Sequence, residues 1–378
     1  MTVNRSVRPA SEVMLESPRA WVDFAKGSAI ILVVLYHCSL FLSEVGLAGS
    51  TPRLRAVLSF MPMAVFFFIA GLTARRSLSW TFPELWRRRI AGLIYLYLIW
   101  SLLRVVFYLV VPHLRESESS PTDLLVIALL PVWPTSSLWF VWALALFAVL
   151  AWLLRRVPIR LQLTLTALLA VAFTTPGLLD TNNVGWDRVG QNLFFFLFAL
   201  HTADRIHSWV TRVRRWHVAV LGVAYVLLAI VLIPLHGVRI PGLALLEGVI
   251  AIALTVAVSQ TFVRLRWLSV VSVLGQASLP IYLVHLFFIA AVVALLAPLA
   301  QFGDLSNYAN LVPFVLAVFS LAASLALGKL LRRVSWLWVN PLRSRLNRRV
   351  SPSQSAPSQS APSESMHGLP MPGLPPKE

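Results

Sequence analysis

The sequence contains few charged residues and a single cysteine. Charged residues make up 12% of its 378 positions and hydrophobic residues 58%, whereas a soluble domain carries about 25% charged residues. The single cysteine, Cys38, excludes an internal disulfide framework and a cysteine metal cluster. No phosphate-cradling P-loop motif occurs, which argues against an ATP-driven pump. The composition indicates an integral membrane protein with no metal site.

The first apolar run lacks the small-residue cleavage pattern of a signal peptide. It follows a charged N-terminal segment and continues past His37 to Val45. A signal peptide has a shorter apolar region that ends at a cleavage site. We therefore interpret this run as a retained helix.

Ten apolar runs have the length needed to cross a membrane, which takes about 17–25 residues in a helix. The sequence thus predicts an all-α integral membrane protein with about ten transmembrane helices. The predicted spans lie near residues 27–45, 57–76, 90–111, 137–154, 160–176, 189–203, 216–235, 241–262, 278–299 and 310–331.

Acidic residues are scarce, since 15 Asp and Glu oppose 32 Lys and Arg to give a net charge of +17. The N-terminus, every second connecting segment and the C-terminus together hold 26 of the 32 basic residues. Basic segments stay in the cytoplasm, so both termini are predicted to be cytoplasmic. Topology and contact with anionic lipid then account for the charge, and no nucleic-acid partner is predicted.

The chain divides into three predicted parts. Residues 1–18 form a cytoplasmic N-terminal segment, 19–335 a membrane domain, and 336–378 a cytoplasmic tail rich in serine and proline. The tail contains a repeated SQSAP sequence and cannot bury apolar surface, so it is predicted to be disordered.

Lys26 and His37 are the first candidate site residues. Their eleven-residue spacing places them on one helix face, within about 20° of each other and about 16 Å apart along the axis. Ionisable groups within a bilayer usually face a cavity or a partner. A neutral imidazole with a pKa near its usual value of about 6.5 suits a general base. The alternative is a histidine that only hydrogen-bonds a neighbouring helix.

Five arginines lie in or beside the second predicted cytoplasmic loop. Guanidinium groups match phosphate oxygens, so this surface is a candidate for binding a polyanionic ligand from the cytosol. Topology signalling alone is the simpler explanation for any single one of them. The five are Arg75, Arg76, Arg87, Arg88 and Arg89.

The ninth span begins with Ser278, Pro280, Tyr282 and His285. Ser278, Tyr282 and His285 follow at i, i+4 and i+7, so one helix face carries all three. His285 should lie roughly 10 Å into the membrane from the cytoplasmic side. The alternative is that these polar side chains only form hydrogen bonds to neighbouring helices.

Other polar and aromatic groups within the spans give weaker signals. Arg104 and Glu247 are predicted in the outer half, where they line an acceptor cleft or pair with each other, and His201 is predicted to be structural. The aromatic residues that begin the fourth span fit an interfacial belt better than a sugar platform. They are Trp139, Phe140 and Trp142.

With these motifs, the chain resembles the acyltransferase-3 family of bacterial ten-helix membrane acyltransferases, in particular its fucose 4-O-acetylase-like branch. The family's basic residue, ten residues and histidine match Lys26 to His37, with lysine in place of the commoner arginine. Its FF-x-I-S-G-F-like signature matches residues 67–72, with alanine for serine. The arginine run, the Trp-Phe start of the fourth span and the Ser-x-x-x-Tyr-x-x-His element also match. The resemblance covers about residues 19–335.

This resemblance implies an enzyme of the bacterial cytoplasmic membrane. Its donor would be acyl-CoA, commonly acetyl-CoA, used as a co-substrate, with no permanently bound cofactor. The acceptor would be a hydroxyl on a carbohydrate, a lipid-linked precursor or a related metabolite. His37 would be the essential histidine, as a general base or an acyl carrier, and Lys26 the basic residue below it. CoA would bind at Arg87–Arg89, with help from Arg75 or Arg76 and from the ninth-span residues Ser278, Tyr282 and His285.

Two other function classes stay open at this point. A secondary transporter or flippase would use His37, His285, Arg104 and Glu247 as a proton or substrate path. Such proteins often contain internal repeats, and the two halves of this sequence show no convincing repeat. A non-catalytic scaffold is the other class. The acceptor, the acyl chain length and self-association into a homo-oligomer are left open by the sequence.

Overall fold

The chain folds into apolar α-helices joined by short turns and single 3-10 segments. The structure, a computed structural model, describes residues 20–114, 120–134, 138–175, 178–232, 240–300 and 307–340. No β-strand occurs among these residues. In chain order the helices are α1 (Ala20–Ser43), α2 (Arg55–Ala74), α3 (Phe82–Tyr108), α4 (Leu124–Leu129), α5 (Trp139–Leu154), α6 (Ile159–Thr174), α7 (Val184–Val210), α8 (Arg215–Leu232), α9 (Leu243–Phe262), α10 (Ser269–Gln276), α11 (Ser278–Ala300) and α12 (Val312–Leu331).

The prediction of an all-helical membrane protein is confirmed, and each predicted span overlaps one of these helices. Within the described residues, five helices are both long and apolar enough to cross a membrane, namely α1, α3, α9, α11 and α12. Helices α5, α6 and most of α8 are apolar but shorter. The number of ten crossings and the cytoplasmic position of the termini stay predictions.

Helix α1 lies at the centre of the bundle. It contacts α2, α9, α10, α11 and α12. Its side chains at Ala25, Ile30, Val34, Cys38 and Leu42 are fully buried. A helix that is apolar on nearly all sides is stable only when protein or lipid surrounds it, and here protein surrounds much of it. The polar residues of α1 therefore have defined protein neighbours.

Helix α10 is an element that the sequence did not predict, because residues 263–277 were assigned to a connecting segment. It crosses α1 where Gly27 meets Val271 and Gly275 meets Asp23. A Cβ atom on Gly27 would lie 1.8 Å from the Val271 carbonyl oxygen, and one on Gly275 would lie 1.7 Å from that of Asp23. Small residues allow such close approach of two helix backbones. The two glycines thus set the α1–α10 contact.

An aromatic cluster joins α2, α5 and α7. The Phe67 ring is fully buried and lies 4.8 Å from the ring of Phe140 and 4.7 Å from that of Phe147, centroid to centroid. Gly71, one turn later, lets α2 approach α7, because a Cβ atom there would lie 2.2 Å from the Phe196 carbonyl oxygen. The segment of residues 67–72 is therefore a packing surface of α2.

The first residues of the predicted tail, 336–340, belong to the described part of the chain. The Ser335–Leu337 turn packs back on α3, where the Trp100 Nε1–H donates to the Leu337 carbonyl oxygen at 3.1 Å. The Tyr95 hydroxyl likewise donates to the Trp336 carbonyl oxygen at 2.7 Å. The folded part of the chain therefore extends beyond residue 335. Most of the predicted tail, from 341 onward, and the predicted N-terminal segment lie outside the described residues.

Candidate functional site

The structure brings together two histidines that lie far apart in the sequence. His37 lies on α1 and His285 on α11. His285 Nε2 lies 3.3 Å from His37 Nδ1, and the two ring centroids are 5.0 Å apart. His37 is half-buried, whereas His285 is fully buried. The pair therefore has one member that is accessible and one that is enclosed.

Each histidine also contacts the backbone of its own helix. His285 Nδ1 lies 2.8 Å from the Tyr282 carbonyl oxygen and 3.1 Å from that of Ile281. His37 Nδ1 lies 2.9 Å from the Val33 carbonyl oxygen. Carbonyl oxygens only accept hydrogen bonds, so in each ring these contacts favour a proton on Nδ1. In the neutral form, Nε2 of each ring then carries the lone pair.

Tyr282 and Ser278 of the ninth-span motif are also buried, and Tyr282 lies beside His285. The Tyr282 ring lies 6.0 Å from that of His285, and its hydroxyl oxygen accepts the Phe140 backbone N–H at 3.3 Å. Ser278 is buried at the start of α11. Pro280 lies in the first turn of this helix, where its missing N–H costs no helical hydrogen bond. Tyr282 thus ties α11 to the beginning of α5.

Phe140 and its neighbours are not an interfacial belt, so that interpretation is wrong. Trp139, Phe140 and Trp142 are each at most 9% exposed. The Phe140 ring packs between those of Phe67 and Tyr282, at centroid distances of 4.8 and 5.4 Å. These rings form the wall beside the histidine pair.

Lys26 lies on α1 near its N-terminus and pairs with Asp23. Lys26 Nζ lies 2.7 Å from Asp23 Oδ1, and the two side chains are 27% and 29% exposed. Because Lys26 comes one residue before Gly27, it lies beside the crossing of α1 with α10. The ammonium is therefore fixed at the base of α1 yet remains accessible.

The arginine run forms a distorted turn within α3. Residues Trp86–Ile90 adopt a π-helical turn between two α-helical segments. Single π turns inside α-helices are frequent at functional sites. Arg87 and Arg88 are exposed and Arg89 is partly buried. The Arg88 guanidinium lies 3.6 Å from Glu84 and 5.3 Å from the centre of the Trp80 ring.

The other two candidate arginines follow α2. Arg75 and Arg76 are exposed in a 3-10 turn, and Arg75 Nη1 lies 2.5 Å from Asp204 Oδ1 on α7. Arg75 is thus already engaged with a carboxylate, whereas Arg76 and Arg87 form no ion pair among the described residues. The binding of CoA by these arginines stays a prediction.

A cleft between α3 and α11 lies next to the buried histidine along the helix. It is partly open to solvent and leaves room for about one water molecule. Arg104 supplies its charge, and the guanidinium lies 5.4 Å from the centre of the Tyr108 ring. The full lining is Arg104, Phe107, Tyr108, Leu138, Leu283, Leu286 and Phe287.

Glu247 and His201 belong to other helix contacts. Glu247 is buried on α9 and accepts from the Tyr225 hydroxyl of α8 at 3.4 Å. His201 Nε2 lies 2.9 Å from Gln162 Oε1, and the Gln162 amide donates to the carbonyl oxygens of Leu154 and Val157. His201 therefore joins α6 and α7 at the end of α5, which fits its predicted structural role.

The contact between the two histidines was not predicted, although both residues were. Rules for i, i+4 and i+7 spacing describe one helix only, and these residues are 248 positions apart. The equal ten-residue intervals from Gly27 to His37 and from Gly275 to His285 do not predict the contact, since the first lies within one helix and the second spans two.

Comparison with known proteins yields one match. A family model described as an acyltransferase domain, the acyltransferase-3 model, matches residues 19–333. The match includes α1 to α12 and therefore both histidines, Lys26 and all five arginines. No curated protein and no solved structure matches the chain.

Proposed function

The chain belongs to the acyltransferase-3 family, and from this membership we propose that it is a membrane O-acyltransferase. It would move an acyl group, most simply acetyl, from cytosolic acyl-CoA to a hydroxyl of a carbohydrate, a lipid-linked precursor or a related metabolite. The observation that carries the proposal is the His37–His285 pair, with a half-buried imidazole held 3.3 Å from a fully buried one. We also propose that the chain belongs to the fucose 4-O-acetylase-like branch of this family.

His37 would act as the general base through Nε2. This nitrogen accepts the acceptor's hydroxyl proton while the hydroxyl oxygen attacks the thioester carbonyl carbon. The carbon–sulfur bond then breaks, and the imidazolium returns its proton to the departing CoA thiolate. The products are an ester and free CoA. The contact of His37 Nδ1 with Val33 supports this role, because it leaves the lone pair on Nε2.

The donor would approach from the side that carries the basic turns. Arg87–Arg89 would hold the CoA phosphates, since guanidinium groups bind phosphate through charge-assisted hydrogen bonds. The exposure of Arg87 supports its use for a ligand, whereas Arg88 already contacts Glu84 and Trp80. The cleft lined by Arg104 is the candidate approach for the acceptor, because its lining residues Leu283 and Leu286 flank His285 on α11, and an acceptor would have to widen it.

Replacing Lys26 with alanine should lower kcat/KM for acetyl-CoA by about 10-fold to 100-fold, the effect of losing one charged hydrogen bond. Lys26→Arg should retain much more activity, because it keeps a cation beside Asp23. Initial rates of CoA release at varied acetyl-CoA concentration measure both. Equal losses in the two variants would mean that shape at this position matters and charge does not.

The Lys26–Asp23 ion pair provides a control for this prediction. If Lys26 only neutralised Asp23, the double variant Lys26→Ala/Asp23→Asn would recover wild-type activity. A role toward the donor predicts instead that the double variant stays as slow as Lys26→Ala. The single variant Asp23→Asn shows what loss of the carboxylate does on its own.

Replacing Arg87 with alanine should raise the KM for acetyl-CoA about 10-fold and leave kcat within about 2-fold, because phosphate binding is the same in ground and transition states. The matched control is Arg156→Ala, an exposed arginine in another basic turn of the same predicted membrane side. Steady-state kinetics should show no change in KM for the control. Equal effects of the two variants would assign the change to general surface charge.

Purified full-length protein in lipid nanodiscs tests the proposed function. The probe is acetyl-CoA labelled in the acetyl group, supplied with an extract of the source cells' lipids and glycans. Transfer of label to extract components together with release of free CoA supports the enzyme. In sealed vesicles, movement of extract components across the bilayer without label transfer would instead support a transporter and overturn the proposal.

A further inference from the structure

We propose that His285 is a positioning residue that sets the protonation of His37. It would hold His37 in the tautomer with the proton on Nδ1 and stabilise the imidazolium that forms when Nε2 takes a second proton. The inference rests on the proposed function for its effect on catalysis. The protonation of His37 is a separate property of the protein, which is measurable in the absence of any substrate.

The backbone of α11 fixes the protonation of His285. Its Nδ1 lies within 3.1 Å of the Ile281 and Tyr282 carbonyl oxygens, both of which only accept. Nδ1 must therefore donate, and Nε2 of the neutral ring must be an acceptor. The ring is fully buried, so its orientation is held by packing as well. His285 thus presents a fixed lone pair toward α1.

That lone pair faces Nδ1 of His37 at 3.3 Å. The Val33 carbonyl oxygen is a second acceptor for the same nitrogen at 2.9 Å, but it also accepts the helical N–H of residue 37. Among the described residues, Nε2 of His285 accepts no backbone hydrogen bond of a helix, so its lone pair is available to His37 Nδ1. Both contacts favour the proton of neutral His37 on Nδ1, and together they leave Nε2 as the basic nitrogen.

The contact becomes stronger at the moment of proton transfer. When Nε2 of His37 accepts a proton, the ring becomes a cation whose Nδ1–H still donates to His285. Hydrogen bonds from a charged donor are stronger than those between neutral groups. The proton on Nδ1 stays on His37, and the proton on Nε2 later leaves with the product CoA. A neutral acceptor of fixed orientation thus lowers the energy of the imidazolium without being consumed.

Two substitutions separate this role from simple packing. In His285→Gln, the terminal oxygen lies the same number of bonds from the backbone as Nε2 and retains the acceptor for His37. In His285→Asn, the amide reaches only as far as Nδ1, so it keeps the contacts with the backbone carbonyls but loses His37. We expect His285→Gln to keep kcat within about 3-fold of wild type and His285→Asn to lose about 10-fold to 100-fold.

Nitrogen NMR of protein with labelled histidine gives a readout independent of activity. Protonated and bare ring nitrogens resonate well apart, and a difference spectrum against His37→Gln identifies the His37 signals among those of the eight histidines. Wild type and His285→Gln should show His37 with Nδ1–H and bare Nε2. His285→Asn should show a mixture of tautomers.

Each outcome decides for or against the inference. A His37 tautomer with bare Nδ1 in the wild type, or the same His37 spectrum in wild type and His285→Asn, would overturn it. Equal kcat values for the folded Gln and Asn variants would overturn the catalytic part. Absence of any acyl transfer by the wild type, with the expected NMR spectra, would remove the proposed function and leave the protonation of His37 established.

Discussion

Replacement of His37 with alanine is expected to lower the rate of acyl transfer by about 10²-fold to 10⁴-fold, the usual contribution of a general base. His285 does not replace it, because its lone pair faces α1 from a fully buried ring. The half-buried position of His37 predicts that the variant still inserts and folds. The rate of label transfer from acetyl-CoA in nanodiscs measures the effect.

A second histidine serves as the control for this variant. His207 on α7 has the same kind of contact, with Nδ1 2.8 Å from the carbonyl oxygen four residues earlier, but its side chain is exposed. His207→Ala should keep wild-type activity. Near-normal product formation by His37→Ala would refute the assignment of the base.

Substitution of Gly275 or Gly27 with alanine is expected to disrupt the fold. The added Cβ atom would lie within 2 Å of a carbonyl oxygen of the opposite helix, and backbone atoms cannot rotate away as a side chain does. Overpacking of a core costs about 1–3 kcal/mol and occasionally more. We expect a loss at or above the upper end of that range, together with loss of acyl transfer.

The single cysteine provides the measurement for these variants. Cys38 is fully buried on α1, so a thiol-reactive fluorophore labels it only when the bundle opens. The labelling temperature should fall by several degrees or more in Gly27→Ala and Gly275→Ala. Gly222→Ala on α8 is the matched control, because nothing lies within 4 Å of its added Cβ atom. Equal labelling temperatures for the three variants would show that the α1–α10 crossing is looser than described.

Helix α1 makes both the glycine crossing and the contact between the two histidines. His37 lies ten residues beyond Gly27 on α1, about 15 Å along this helix. α1 contacts both α10 and α11, and only Ala277 separates these two helices. The crossing with α10 therefore lies close in the chain to the helix that carries His285. Loss of the first should misalign the second, which is why activity should fall with stability.

The helices were predictable because their apolar runs are long. The runs around α1, α9, α11 and α12 each exceed the length of a bilayer crossing, so composition alone locates them within a few residues. Helix α10 was missed because it has only 8 residues and follows two arginines in a basic segment. The contacts of Trp336 and Trp338 with α3 were also not predicted. They join residues far apart in the chain, which local patterns do not show.

The site was predictable residue by residue but not as an arrangement. His37 and His285 were identified because an ionisable side chain within an apolar run usually faces a cavity or a partner. Their contact depends on the packing of α1 against α11, which no local pattern contains. Trp139 and Phe140 were misjudged because aromatic residues at the start of a span fit an interface equally well, and only their burial against Phe67 and Tyr282 decides the matter.

The separation of the paired histidines has a consequence for biosynthesis. His37 belongs to the first long helix, but its partner follows 248 residues later. A ribosome must therefore translate about three quarters of the 378 codons before the second imidazole exists. A nascent or prematurely terminated chain can insert several helices and still lack the completed pair. If His285 positions His37 as proposed, the complete site forms only in molecules whose insertion is nearly finished, and incomplete copies would not consume the proposed donor at the full rate.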